Sequence, residues 1–94
     1  MNVELTILYD YYGKLLTDKQ QQYFIDYYFN DLSLQEIAEN MGVSRNAVYN
    51  SLKEIEKNLN HYEEVLRLYE KSKKIDVIIE KLDDNIKNSI KELI

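Results

Sequence analysis

Six polar residues in one short segment are of the types that contact nucleic acids: Ser44, Arg45, Asn46, Tyr49, Asn50 and Lys53. If the segment is helical, each residue advances by about 100° around the axis. With Arg45 placed at zero, the polar side chains that follow it lie between about 40° and 140°, whereas the apolar Val48, Leu52 and Ile55 lie between about 280° and 340°. Arginine pairs with guanine and asparagine with adenine, while serine and lysine suit phosphates and Tyr49 suits either. The pattern predicts a DNA-reading face opposite a core-facing one.

The residues around this face have the pattern of a helix-turn-helix, which we place at residues 33–52. Ser33 and Glu36 form a capping box that opens a short helix. Gly42 can adopt the left-handed conformation that closes such a helix, and Ser44 can cap the helix that follows. The small or apolar residues predicted to form the core between the two helices are Ile37, Ala38, Met41, Val43, Val48 and Leu52.

The N-terminal third also has the spacing of helices. Apolar residues at helical intervals predict a first helix over residues 3–15 and a second over residues 18–29. Thr17 and Gln20 form a capping box at the start of the second helix. The chain has no proline and only two glycines, so it lacks the turn residues that sheets and barrels need at short intervals. The predicted fold class is therefore all-α, a helix-turn-helix bundle with an extra C-terminal helix.

The C-terminal half carries a long apolar pattern. From Val48 to Tyr69 the apolar residues alternate in steps of three and four, which is typical of helices that pair along their length. The pattern leaves open whether residues 45–71 form one helix or two. We place a connection at the basic residues 71–74 and a last helix from Ile75 to Leu93.

These elements divide the chain into a bundle at residues 1–70 and a C-terminal helix at residues 71–94. The C-terminal helix would either complete the core or pair two subunits. We expect a homodimer through it, because two reading helices about 34 Å apart match successive major grooves on one side of DNA.

Composition limits the functions that are open to the chain. Its 94 residues, 45% of them hydrophobic, suffice for one domain. It has no cysteine, which excludes disulfides and thiolate metal sites. The formal net charge is −5 and is spread over all three thirds, so we expect weak non-specific affinity for DNA. Without an apolar run long enough to span a bilayer or a signal-peptide pattern, we expect a cytoplasmic protein with no membrane insertion.

Other reactive residue types have structural explanations. His61 has no cysteine or second histidine near it and is expected on a helix surface. The acidic pairs at residues 63–64 and 83–84 point about 100° apart on a helix, which suits a solvated face better than acid–base chemistry. Helical spacing predicts that Tyr11 and Tyr49 are exposed and that five other tyrosines pack in the core: Tyr9, Tyr12, Tyr23, Tyr27 and Tyr28. We predict no catalytic residue, cofactor or metal site, and no enzyme.

Several segments together resemble the YlxM family of bacterial helix-turn-helix proteins, which is similar to region 4 of sigma-70-type factors. They are Leu16–Gln20, Tyr27–Tyr28, Leu32–Ala38 and Val43–Tyr49. The resemblance covers most of the chain and implies a regulatory DNA-binding protein. It also implies a link to the signal recognition particle pathway, because the family's genes lie beside those of that particle's GTPase. The alternative is an adaptor that does not bind DNA and contacts protein or RNA of the signal recognition particle.

The chain departs from the family pattern at two positions near the predicted reading face. Relatives usually carry glutamine where this chain has Asn46, so a base preference does not transfer. They also tend to have a second basic residue after the one that matches Lys53, whereas this chain has Glu54. The substitution removes one expected phosphate contact.

Overall fold

Five α-helices make up most of the computed structural model, which describes residues 2–81 and residue 91. A 3-10 turn at Gly13–Leu15 follows α1, and a π-helical turn at Ile25–Phe29 follows α2. No strand occurs within the described residues, and none of the described helices is long and apolar enough to cross a membrane. The predicted all-α fold is confirmed. The helices are α1 (Val3–Tyr12), α2 (Asp18–Phe24), α3 (Leu34–Met41), α4 (Arg45–Leu66) and α5 (Leu68–Ile79).

Helices α1, α2 and α3 all pack against α4, which is therefore the central element of the core. The apolar side of α4 is fully buried at Val48, Ile55 and Leu59. Between α1 and α2, the ring of Tyr9 stacks on that of Phe24 with centroids 4.4 Å apart. The other core residues come from α1 to α4 and from the bend before α2: Leu5, Leu8, Tyr12, Leu16, Tyr23, Ile37, Ala38 and Leu52.

Local capping explains where α2 and α3 begin. The Thr17 hydroxyl accepts a hydrogen bond from the backbone N–H of Gln20 at 3.2 Å, and the Gln20 side chain accepts one from the Thr17 N–H at 3.0 Å. Ser33 and Glu36 form the same reciprocal pair, with both distances at 3.1 Å. Both predicted capping boxes are confirmed. Each satisfies two backbone donors that a helix start would otherwise leave unpaired.

The turn between α3 and α4 also has the predicted form. Gly42 is left-handed, with φ 68° and ψ 34°, a conformation that glycine adopts without steric cost. Ser44 then accepts a hydrogen bond from the backbone N–H of Ala47 at 3.1 Å and so caps α4. Gly13 has a different role. A Cβ at this position would lie 2.8 Å from the ring of Tyr9, so a close approach between backbone and ring explains this glycine.

The link between α4 and α5 differs from the prediction. We placed a connection at residues 71–74, but α5 runs through these residues and the chain turns at Arg67, which is left-handed with φ 54° and ψ 33°. The prediction of a connection at 71–74 is therefore wrong. Residues 45–71 form two helices, and the predicted last helix begins earlier, at Leu68. Its predicted apolar positions Leu82, Ile86, Ile90 and Leu93 lie outside the described residues.

Hydrogen bonds between distant parts of the chain fix this turn. The Glu63 carboxylate accepts from the backbone N–H groups of Tyr69 and Glu70 at 3.1 Å each, which caps the start of α5. Tyr12, on α1, donates its hydroxyl to the same carboxylate and accepts from the N–H of Leu68 at 3.0 Å. Burial and the hydrogen bond to Glu63 raise the pKa of Tyr12 above its ordinary value. One buried tyrosine thus ties α1 to both sides of the turn.

Most of the tyrosine predictions are confirmed. Tyr12 and Tyr23 are buried, Tyr9 and Tyr28 pack partly against the core, and the two tyrosines predicted to be exposed are so. Tyr27 is the exception, because it lies on the π-helical turn and 38% of its surface is exposed. A π-helical turn closes with a hydrogen bond over five residues, here from the N–H of Asn30 to the carbonyl of Ile25 at 3.0 Å. Residues on it do not follow the 100° spacing from which a core position was predicted.

Candidate functional site

The first half of α4 separates its polar and apolar residues onto opposite sides. Val48 and Ile55 are fully buried and Leu52 is 7% exposed, so this side is anchored in the core. Five predicted contact residues are exposed together on the other side and form what we call the α4 polar face: Arg45, Asn46, Tyr49, Asn50 and Lys53. The arrangement follows directly from helical geometry, since α4 is regular through the whole segment.

Ser44 stands at the start of this face. Its side-chain oxygen caps α4, and the residue is exposed, so its hydroxyl proton remains available to a further acceptor. The first turn of α4 contains no acidic residue. Backbone N–H groups at a helix start carry partial positive charge, so this end favours an anion such as a phosphate. The capping bond and a phosphate contact are compatible because they use different sites on one hydroxyl.

The charge of the α4 polar face is positive within an acidic chain. Residues 44–53 contain Arg45 and Lys53 and no acidic residue, whereas the whole chain carries −5. Among the described residues, no carboxylate forms an ion pair with Arg45. The ammonium of Lys53 lies 3.9 Å from the Glu56 carboxylate and 5.6 Å from the centroid of the Tyr49 ring. Exposed pairs of this kind are weak, so both cations can turn to an external partner.

A small cleft adjoins the α4 polar face, where the π-helical turn and the start of α3 meet α4. Its volume is about 150 Å³. Burial, followed by the charges of Glu56 and Tyr27, raises the pKa of Tyr28 above its ordinary value. The sequence did not predict this cleft, because Tyr27 was expected in the core and helical spacing gives no indication of a π-helical turn. We call it the tyrosine cleft, and its lining residues are Tyr27, Tyr28, Leu34, Tyr49, Leu52, Lys53 and Glu56.

Solvent exposure explains His61, and capping explains Glu63. His61 is on the surface of α4, with its Nδ1 4.0 Å from a Glu64 carboxylate oxygen. Glu63 was predicted to lie on a solvated face, but it is half-buried and caps α5, so that prediction is wrong for this residue. No group of three or more potential metal ligands occurs among the described residues, and the predicted acidic pair at residues 83–84 lies outside them.

The basic residues 71–74 lie on a helix far from the α4 polar face. Lys74 is 3.3 Å from Glu70, and the ammonium of Lys73 lies 4.4 Å from the centroid of the Tyr69 ring. Residues 54–66 of α4, which separate Lys53 from the turn at Arg67, span about 20 Å. The cations of α5 and those of the α4 polar face therefore belong to separate surfaces.

Comparison with known proteins identifies many relatives of this chain. A UPF0122 protein of Caldanaerobacter subterraneus subsp. tengcongensis is 49% identical over 82 residues, which cover 87% of this chain and 70% of the relative. A UPF0122 protein of Malacoplasma penetrans is 45% identical over 82 residues, covering 87% of this chain and 77% of the relative. A UPF0122 protein of Geobacillus kaustophilus is 46% identical over 84 residues, covering 89% of this chain and 76% of the relative.

The match to the family as a whole extends over residues 1–94 and includes the capped helices, the left-handed Gly42 and the α4 polar face. The predicted resemblance to the YlxM family is confirmed. The chain belongs to the UPF0122 family, whose description is "Putative helix-turn-helix protein, YlxM / p13 like".

Proposed function

We propose that this chain is a regulatory DNA-binding protein that inserts the first half of α4 into the major groove. The observation that carries the proposal is the exposure of all five residues of the α4 polar face on the side opposite Val48, Leu52 and Ile55. Arg45 would pair with guanine, Asn46 and Asn50 with adenine, and Tyr49 with a base or a phosphate. Ser44 and Lys53 would contact phosphates and set the register of α4 on the duplex.

The charges of the chain predict how this binding depends on conditions. With few cations at the site and a net charge of −5, affinity for arbitrary sequences is low and falls as salt is added. Selectivity would then depend on base contacts more than on phosphate contacts. Lys53→Ala should weaken binding to all sequences by similar factors and reduce the slope of log affinity against log salt by about 1.

The test is a fluorescence anisotropy titration of a randomised duplex pool, and of sequences enriched from it, at low and moderate salt. Arg45→Ala removes an exposed side chain with no partner in the core, so we expect unchanged helicity and a loss of specific binding worth about 1–3 kcal/mol. Lys14→Ala is the matched control, because its loss changes the net charge equally. Lys14 is exposed and lies two residues after Tyr12, which bonds Glu63 at the opposite end of α4. Equal losses in the two variants, or unfolding of Arg45→Ala, would contradict the proposal.

A second candidate function is an adaptor that contacts protein or RNA of the signal recognition particle. Two observations favour it. The net charge of −5 weakens binding to DNA, and α5 presents the exposed cations Lys71, Lys73 and Lys74 apart from the α4 polar face. The same titration with signal-recognition RNA and with the particle's protein distinguishes the two. Binding to either of these, together with no binding to any duplex, would support the adaptor.

Two further properties belong to this proposal. We infer a cytoplasmic protein, in keeping with a DNA or signal-recognition partner. We also infer a homodimer through the segment from residue 71 onwards, which would present two reading helices to successive major grooves. Light scattering of the full chain measures the mass directly, and a monomer at micromolar concentration would contradict the dimer.

A further inference from the structure

The tyrosine cleft places an apolar surface at the edge of the α4 polar face. Tyr49 belongs to both, since it is 47% exposed and lines the cleft. On α4 it lies about 40° from Arg45 and about 40° from Lys53 around the axis, so its ring stands between the two cations. Leu34 and Leu52 contribute the aliphatic part of the lining. An apolar surface in this position suits a ligand that brings an apolar group between polar ones.

The major groove of DNA offers one such group, the C5-methyl of thymine. A phosphate gains little in the cleft, because Lys53 and Glu56 both line it with their charged atoms 3.9 Å apart and leave it without net charge. The exposed ring of Tyr27 faces the same space from the π-helical turn. A methyl group that entered beside these rings would lose contact with water and has no polar atom that would be left without a partner.

We propose that Tyr49, with the tyrosine cleft behind it, selects a thymine beside the bases read by Arg45 and Asn46. The inference rests on the proposed function and adds a specificity that the polar residues do not supply. It assigns a function to Tyr27 and Tyr49 together, although they are 22 positions apart in the sequence. Burying one methyl group corresponds to about 0.8 kcal/mol, which is about a fourfold change in affinity.

The experiment removes this methyl group and nothing else. A duplex enriched from the randomised pool is resynthesised with deoxyuridine at each thymine in turn, and each version is titrated against the full chain. We expect about a fourfold loss of affinity at one thymine and no change at the others. In Tyr49→Ala the difference between thymine and deoxyuridine at that position should disappear, whereas Arg45→Ala should weaken binding and keep the difference.

The outcomes separate this inference from the proposed function. Duplex binding that is indifferent to deoxyuridine at every position, or a difference that survives in Tyr49→Ala, overturns the thymine proposal and leaves DNA binding intact. Failure to bind any duplex overturns both. Since Tyr49 is exposed, the circular dichroism of Tyr49→Ala should match that of the unmodified chain. Tyr27→Ala is a second, independent variant that should reduce the preference for thymine over deoxyuridine.

Discussion

Replacing Arg67 by glycine and, separately, by alanine tests the left-handed link between α4 and α5. Arg67 has φ 54° and ψ 33°, a conformation that is costly for a residue with a Cβ. Its side chain is 65% exposed and its Nε lies 3.9 Å from a Glu70 carboxylate oxygen, so its own contacts contribute little. Both substitutions remove these contacts equally. The difference between glycine and alanine therefore reports on the backbone alone.

The sign of that difference depends on the conformation at this position. In a left-handed link, alanine suffers a strain of about 1–2 kcal/mol that glycine avoids, and glycine loses about 0.5–1 kcal/mol through its greater freedom in the unfolded chain. Arg67→Gly should then be more stable than Arg67→Ala by about 0.5–1 kcal/mol. In a continuous helix, glycine would instead be less stable than alanine by about 1 kcal/mol. A left-handed link and a continuous helix therefore predict opposite signs for the difference in stability between Arg67→Gly and Arg67→Ala.

The measurement is urea or thermal unfolding of both variants followed by circular dichroism. For a chain of this length, the expected difference places the midpoint of Arg67→Gly roughly 2–8 °C above that of Arg67→Ala. A midpoint for Arg67→Ala above that of Arg67→Gly would refute the left-handed link and restore one continuous helix. Substituting Lys57, which is exposed within α4, provides the helical reference, because alanine should be the more stable replacement there.

Three further predictions follow from the same structure. Tyr12→Phe should lower the free energy of unfolding by about 1–2 kcal/mol, because it leaves the N–H of Leu68 without its partner, whereas Tyr62→Phe should have little effect. Gly42→Ala should lower the free energy of unfolding by about 1 kcal/mol through backbone strain alone, since nothing lies within 4 Å of the added Cβ. Denaturant titration measures the free energy of unfolding of Tyr12→Phe and of Gly42→Ala. The pKa of Tyr12 is raised in the folded protein, so the unfolded chain releases this proton at a lower pH than the folded chain does. The free energy of unfolding should therefore fall as pH rises above 10, and it should fall less steeply in Tyr12→Phe.

Local signals in the sequence determined most of the fold. The caps at Thr17, Ser33 and Ser44 each join residues three apart, so a short stretch of sequence contains the whole interaction. Gly42 likewise marks a left-handed turn that other residues adopt only at a cost. The exposed and buried sides of α4 follow from helical spacing, so the sequence alone predicts each residue of the α4 polar face.

Only the tertiary structure decided the link at Arg67 and the tyrosine cleft. Arginine gives no sign of a left-handed conformation, and the heptad pattern continues across it. The turn depends on hydrogen bonds from Tyr12 to Glu63, 51 residues away, and from Leu68 to Tyr12, 56 residues away. The cleft depends on a π-helical turn meeting α4. No pattern in the sequence predicts which distant residues will contact each other, so only the packing of the helices determines these interactions.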